Sequence, residues 1–175
     1  MNKCLLLGCL ITALAFLPGS GLADQLTEDV FASVIVTPTF NITVDNDFLD
    51  FGLVNPGESA TLKPASHFNT VSFISNKARK YYLKITIHGD ISGPKGARIP
   101  DSSVKWKVVR ASGSGVAVNG WQEFSDQPLL VYTSSAEDAT GAANKIDFQY
   151  RLDLPPQASG GNYSLQLAYS LTEEK

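Results

Sequence analysis

Cysteine is nearly missing. The chain holds two, Cys4 and Cys9, and both fall in a stretch that reads as an export signal. That stretch has a positive start at Lys3, an apolar run over residues 4 to 17, a helix-breaking Pro18-Gly19, and small residues Gly21 and Ala23 before a cut after Ala23. A competing reading is lipid attachment at Cys9, because Leu6-Leu7-Gly8-Cys9 has the form of a lipobox. The apolar run of about 14 residues is shorter than the roughly 20 a spanning helix needs, so no integral membrane segment is expected after cleavage. Removing residues 1–23 leaves 152 of the 175 residues and no thiol. An exported chain without cysteine cannot be stapled by disulfides and depends on its core. A domain of about 150 residues buries about 68–70% of its unfolded surface, so one domain over residues 24–175 suffices.

Basic charge is also scarce. With Lys3 gone, 13 basic residues stand against 17 acidic ones, and no basic run offers a footprint for nucleic acid or anionic lipid. Only two histidines occur, His67 and His88, and neither has a second metal-type ligand at a useful spacing. Asp45, Asp47 and Asp50 are acidic neighbours without the glycine and terminal glutamate of a calcium loop. Nucleophile motifs of the G-x-S-x-G and S-x-x-K types are absent, and Gly113-Ser114-Gly115 has no following helix to hold a phosphate. Asp126, Glu137, Asp138 and Asp153 read as ordinary surface acids rather than a hydrolytic pair. The expectation is a non-enzyme with no cofactor and no metal. A sustained helical period is missing as well.

What is present is alternation. Ile146, Phe148, Tyr150, Leu152 and Leu154 alternate with polar residues, and Tyr163, Leu165, Leu167, Tyr169 and Leu171 alternate with Ser164, Gln166, Ala168 and Ser170. Each run predicts a strand with one buried face, and the two face each other across a connection rich in proline and glycine. Upstream, Tyr81, Leu83, Ile85 and Ile87 alternate as cleanly. Phe40, Ile42 and Val44 make a shorter strand closed by a reversal at Asp45-Asn46-Asp47. Val104, Trp106 and Val108 predict a strand with Trp106 in the core, and 129–132 predicts another. Residues 89–100 read as a loop, 111–120 as a hairpin of small residues, and 134–144 as a surface loop.

Leu49-Asp50-Phe51-Gly52-Leu53-Val54-Asn55-Pro56-Gly57 predicts a short strand closed by a turn, with Pro56-Gly57 suited to the centre of a type II turn and Gly52 to a bulge or close backbone approach. This stretch resembles one carried by several families of immunoglobulin-like domains. Short strands spaced by Gly, Pro, Asn and Ser, without a βαβ rhythm, give the fold class: all-β, an antiparallel immunoglobulin-like β-sandwich of about eight or nine strands.

Two candidate surfaces emerge. Val30, Ala32, Val34 and Val36 line one face of an N-terminal run that is either an edge strand of the sandwich or a donor strand given to a neighbouring subunit. Tyr82, Trp121, Phe124 and Tyr132 are aromatics that alternation does not assign to the core. They are a candidate platform for a glycan, with Trp121 just after the Asn119-Gly120 turn.

The C-terminal order, Leu152-Asp153-Leu154-Pro155, then Gly161-Asn162-Tyr163, then a strand ending Ala168-Tyr169-Ser170-Leu171-Thr172, resembles the end of WxL-type cell-surface domains. The two W-x-L places read Tyr81-Tyr82-Leu83 and Tyr169-Ser170-Leu171, with tyrosine for both tryptophans. The resemblance implies a secreted sandwich module of the bacterial envelope. The functional expectation is an exported structural or adhesive protein, in the periplasm, on the cell surface or extracellular, that self-associates through edge strands. The alternative is a non-catalytic module for cell-wall polysaccharide or another glycan.

Overall fold

The computed structural model describes residues 33–46, 48–62, 69–125 and 127–175. Residues 36–175 form one compact unit, and the chain divides from it at Ile35. The described residues are all β. Eleven strands run in chain order: β1 Phe40–Val44, β2 Ser59–Thr61, β3 Asn69–Ser75, β4 Tyr82–Ser92, β5 Arg98–Ile99, β6 Val104–Ala111, β7 Val116–Ala117, β8 Gln122–Glu123, β9 Leu129–Thr133, β10 Ala143–Asp153 and β11 Ser164–Thr172. The count exceeds eight or nine because β2, β5, β7 and β8 are two or three residues long, too short to carry a period.

Every pairing is antiparallel. One sheet runs β1-β3-β10-β6-β8, with β2 beside the end of β10, and the other runs β11-β4-β9-β7, with β5 on β4. The sheets bury their alternating faces against each other: Val71 and Phe73 of β3, Leu83, Ile85 and Ile87 of β4, and Ile146, Phe148 and Tyr150 of β10. The expected tryptophan is in this core, since Trp106 packs its ring 5.9 Å from Phe148. The two C-terminal runs are strands, as their period demands, but they do not pair. β10 lies inside one sheet and β11 at the edge of the other, and they meet through the core, where the Phe148 and Tyr169 rings lie 5.4 Å apart.

Five expectations of local structure are corrected. Residues 33–39 form no strand. Residues 49–54 form none either, because the Gly52 amide donates 2.8 Å to Asp50 Oδ1 and Gly52 sits at φ +68, a kink that breaks any ladder. A Cβ on Gly52 would meet nothing within 4 Å, so positive φ, and not a close approach, calls for glycine there. The stretch from 111 to 120 is no simple hairpin, since β6 and β7 belong to different sheets. The supposed surface loop at 134–144 turns inward and buries Ser134, Asp138, Ala139 and Asn144. The loop expected over 89–100 is in part strand, with Ile91 of β4 opposite Ile99 of β5. The turn at Pro56-Gly57 forms as expected: Gly57 has φ +84, and the Glu58 amide donates 3.0 Å to the Asn55 carbonyl.

Candidate functional site

The feature that stands out is an apolar groove on the side of the sandwich where β1 and β11 are the outermost strands. β1 has only five residues and stops at Val44, while β11 has nine and β10 eleven. The far ends of the long strands therefore extend past the strand that covers their neighbours. What lies over the gap is the irregular 48–56 stretch, and it covers the gap incompletely. Beneath it is a cavity of about 710 Å³ walled by Val44, Leu49, Phe51, Leu154, Leu165 and Leu167 among others.

Exposure follows from this opening. Leu83, Ile85 and Ile87 of β4 and Ile146, Phe148 and Tyr150 of β10 are buried, whereas Leu152 at the end of β10 and Leu165, Leu167, Tyr169 and Leu171 of β11 are only half-buried. Phe48 is exposed at the rim, and Leu53 is fully exposed at 106% of its reference area. Apolar side chains left in water at a rim mark an interaction surface more often than isolated ones do.

The floor of the groove is polar and closed on itself. The Tyr150 hydroxyl donates to the Tyr169 hydroxyl, which in turn donates 2.5 Å to Asn69 Oδ1, and Asn69 Oδ1 lies 3.2 Å from the Tyr150 hydroxyl, closing the triangle. Asn69 Nδ2 donates 2.5 Å to the Asn46 carbonyl, which ties the floor to the chain just after β1. Burial pushes both tyrosine hydroxyls well above their ordinary value. They are held protonated, so they act as hydrogen-bonding groups and not as bases. The arrangement desolvates apolar side chains over a satisfied polar floor, which suits binding.

The predicted aromatic platform is not assembled. Phe124 is buried beside Trp106, with ring centroids 6.3 Å apart, and Tyr132 has no exposed surface. Tyr82 lies half-buried on β4, in one sheet, while Trp121 precedes β8, in the other. Trp121 alone is exposed, at 37%, with the Lys107 ammonium 4.8 Å from its ring centroid. Alternation left Phe124 and Tyr132 open because one follows a two-residue strand and the other sits beside the irregularity in pairing between β9 and β4.

The two Y-x-L triplets do come together. β4 and β11 are neighbours, with Leu83 opposite Leu171 and Tyr82 opposite Thr172. The tyrosines at the tryptophan places point into the core. Tyr81 is fully buried and its hydroxyl accepts from Asn144 Nδ2 at 3.0 Å, while Tyr169 belongs to the groove floor.

Of the N-terminal candidates, Val34 and Val36 are exposed at 85% and 70%, and Val30 and Ala32 lie outside the described residues. Asp47, His67 and Asp126 lie outside them too. Asp45 and Asp50 take backbone amides, Thr70 N at 2.7 Å and Gly52 N at 2.8 Å, and His88 is exposed on β4. Among the described residues no three His, Cys, Asp or Glu side chains gather as metal ligands, and no helix is long and apolar enough to cross a membrane.

Sequence reasoning missed the groove, because Leu49, Phe51 and Leu53 are spaced as in a strand. It also missed the burial of Asp138. A scan against models of known protein families finds no match, and a search of curated proteins finds none.

Proposed function

We propose that this is an exported structural or adhesive protein of the bacterial cell envelope, a surface or filament subunit on an immunoglobulin-like sandwich that assembles through its strand edges. One observation carries the reading. The chain has an exposed, unpaired run, Val34-Ile35-Val36, and also an apolar groove beside an edge strand. Unpaired edges and exposed β-branched runs are liabilities that a monomer blunts, and assembly puts them to use. The export-type N-terminus and the likeness of the C-terminal strands to WxL-type domains favour an envelope location.

A second reading, a non-catalytic module for cell-wall polysaccharide or another glycan, is favoured by the exposed indole of Trp121 beside Lys107. Light scattering of the protein across a range of concentrations, beside sedimentation with purified cell wall, separates the two. Oligomers that grow with concentration and ignore the wall support assembly. A monomer that pellets with the wall, and loses that property as Trp121→Ala, supports glycan binding and overturns the first reading.

A further inference from the structure

We propose that the groove between the end of β1 and the 164–168 half of β11 is the acceptor for residues 30–36 of a second copy of this chain, which adds to β11 as a strand. The inference rests on the assembly reading above and names its contact.

The groove asks for a peptide. β11 pairs on one side with β4, and among the described residues no strand meets the row of backbone N–H and C=O groups on its other side, which is the row a ladder needs. A lipid or small apolar ligand would fill the cavity and leave that row unmet. The inward side chains beside the row, Leu165 and Leu167, are half-buried, short of one apolar layer.

The chain itself contains a peptide of that description. Residues 30–37 read Val-Phe-Ala-Ser-Val-Ile-Val-Thr, uncharged throughout, and Val30, Ala32, Val34 and Val36 share one face at period two. Among the described residues lining the groove, Asp50 is the one that is charged, and its carboxylate is engaged by the Gly52 amide. Lengths agree as well. Seven residues span about 23 Å as a strand, enough to cover the five residues 164–168, which span about 17 Å.

The geometry at the entry to β1 favours a second copy over the chain's own segment. Asn76 holds the chain on both sides of Pro38, its Oδ1 accepting from Thr39 N at 2.5 Å and its Nδ2 donating to the Thr37 carbonyl at 2.9 Å. The Asn76 amide also donates 3.1 Å to the Thr39 carbonyl. Residues 37–39 thus continue the line of β1 past Phe40, away from Val44 and the groove. To reach its own groove the segment would have to reverse, whereas a neighbour's needs no reversal.

Disulfide trapping tests this, in the full chain with Cys4 and Cys9 replaced by serine. A Val34→Cys copy is mixed with a Leu167→Cys copy under mild oxidation, and Ile35→Cys with Gln166→Cys provides an outward-facing pair should Leu167→Cys fail to fold. The control partner is Val116→Cys, exposed on β7 at the opposite edge of the same sheet. The expected result is interchain dimer with the β11 cysteines at least tenfold above the Val116→Cys control, lost when a synthetic peptide of residues 24–37 is added in excess. Equal trapping at Val116→Cys in a protein that still forms oligomers would overturn the groove assignment and leave the assembly reading standing. A disulfide formed within one chain carrying both Val34→Cys and Leu167→Cys, with no interchain product, would replace the second copy by self-insertion. A protein monomeric at every concentration would sink both readings.

Discussion

Asp138 anchors a buried polar network. Its carboxylate accepts from the Tyr132 hydroxyl at 2.7 Å and from the Ser114 and Ser135 amides at 2.9 Å and 2.8 Å. Burial pushes the carboxyl up, but these donors outweigh it and hold it below its ordinary value. A depressed carboxylate contributes stability above the ordinary value of about 3.9 and loses it as pH falls through the lower folded-state value. Asp138→Asn is therefore expected to destabilise by about 1–3 kcal/mol at pH 7 in urea unfolding, and the gap from wild type to narrow below about pH 4. A gap that persists undiminished at low pH would contradict the charge argument. Gly113 seats the same network: a Cβ there would fall 2.0 Å from Tyr132 Oη and 2.9 Å from Asp138 Oδ1. Gly113→Ala should cost about 1–3 kcal/mol, while Gly160→Ala, with open space around it, should leave the unfolding midpoint unchanged. None of this was legible in one dimension. Ser134 to Asn144 is small, polar and aperiodic, the composition of a surface loop, and only tertiary donors from residues 114 and 132 bring Asp138 inside.

At the scale of elements, periodicity told strands from loops but not centre from edge. β10 and β11 alternate equally well, yet β10 is flanked by strands on both sides and β11 on one, a difference decided by distant β3 and β6. The kinked 49–54 stretch was misread because its apolar residues are spaced like a strand, while the Asp50 side chain and the αL Gly52 take the backbone out of register. Trp106, read correctly from alternation in β6, tests the core directly. Its Nε1 has no hydrogen-bond partner among the described residues, so its contribution is packing alone. Trp106→Ala should cost about 3–5 kcal/mol in denaturant unfolding. Trp106→Phe should cost less than half of that, because it keeps an aromatic ring and removes an unmet donor. Equal costs would mean that the indole nitrogen is satisfied in solution.

For the whole molecule, period-two alternation between turn residues is what points to the all-β class, and the structure has two antiparallel sheets. The candidate site was half legible. The Val30 to Val36 run is visible as β-branched alternation, but its acceptor is made by two sheets of unequal reach, and no single stretch records that. In the proposed reading this protein assembles through its N-terminal run. The most direct measurement is the mass in solution of the Val34→Asp/Val36→Asp double variant beside wild type over a range of concentrations. Both side chains are exposed, so the fold should be untouched and the circular dichroism unchanged. Wild type growing into oligomers while the variant stays a monomer is the predicted result. Oligomers of equal size and affinity in both proteins would contradict it.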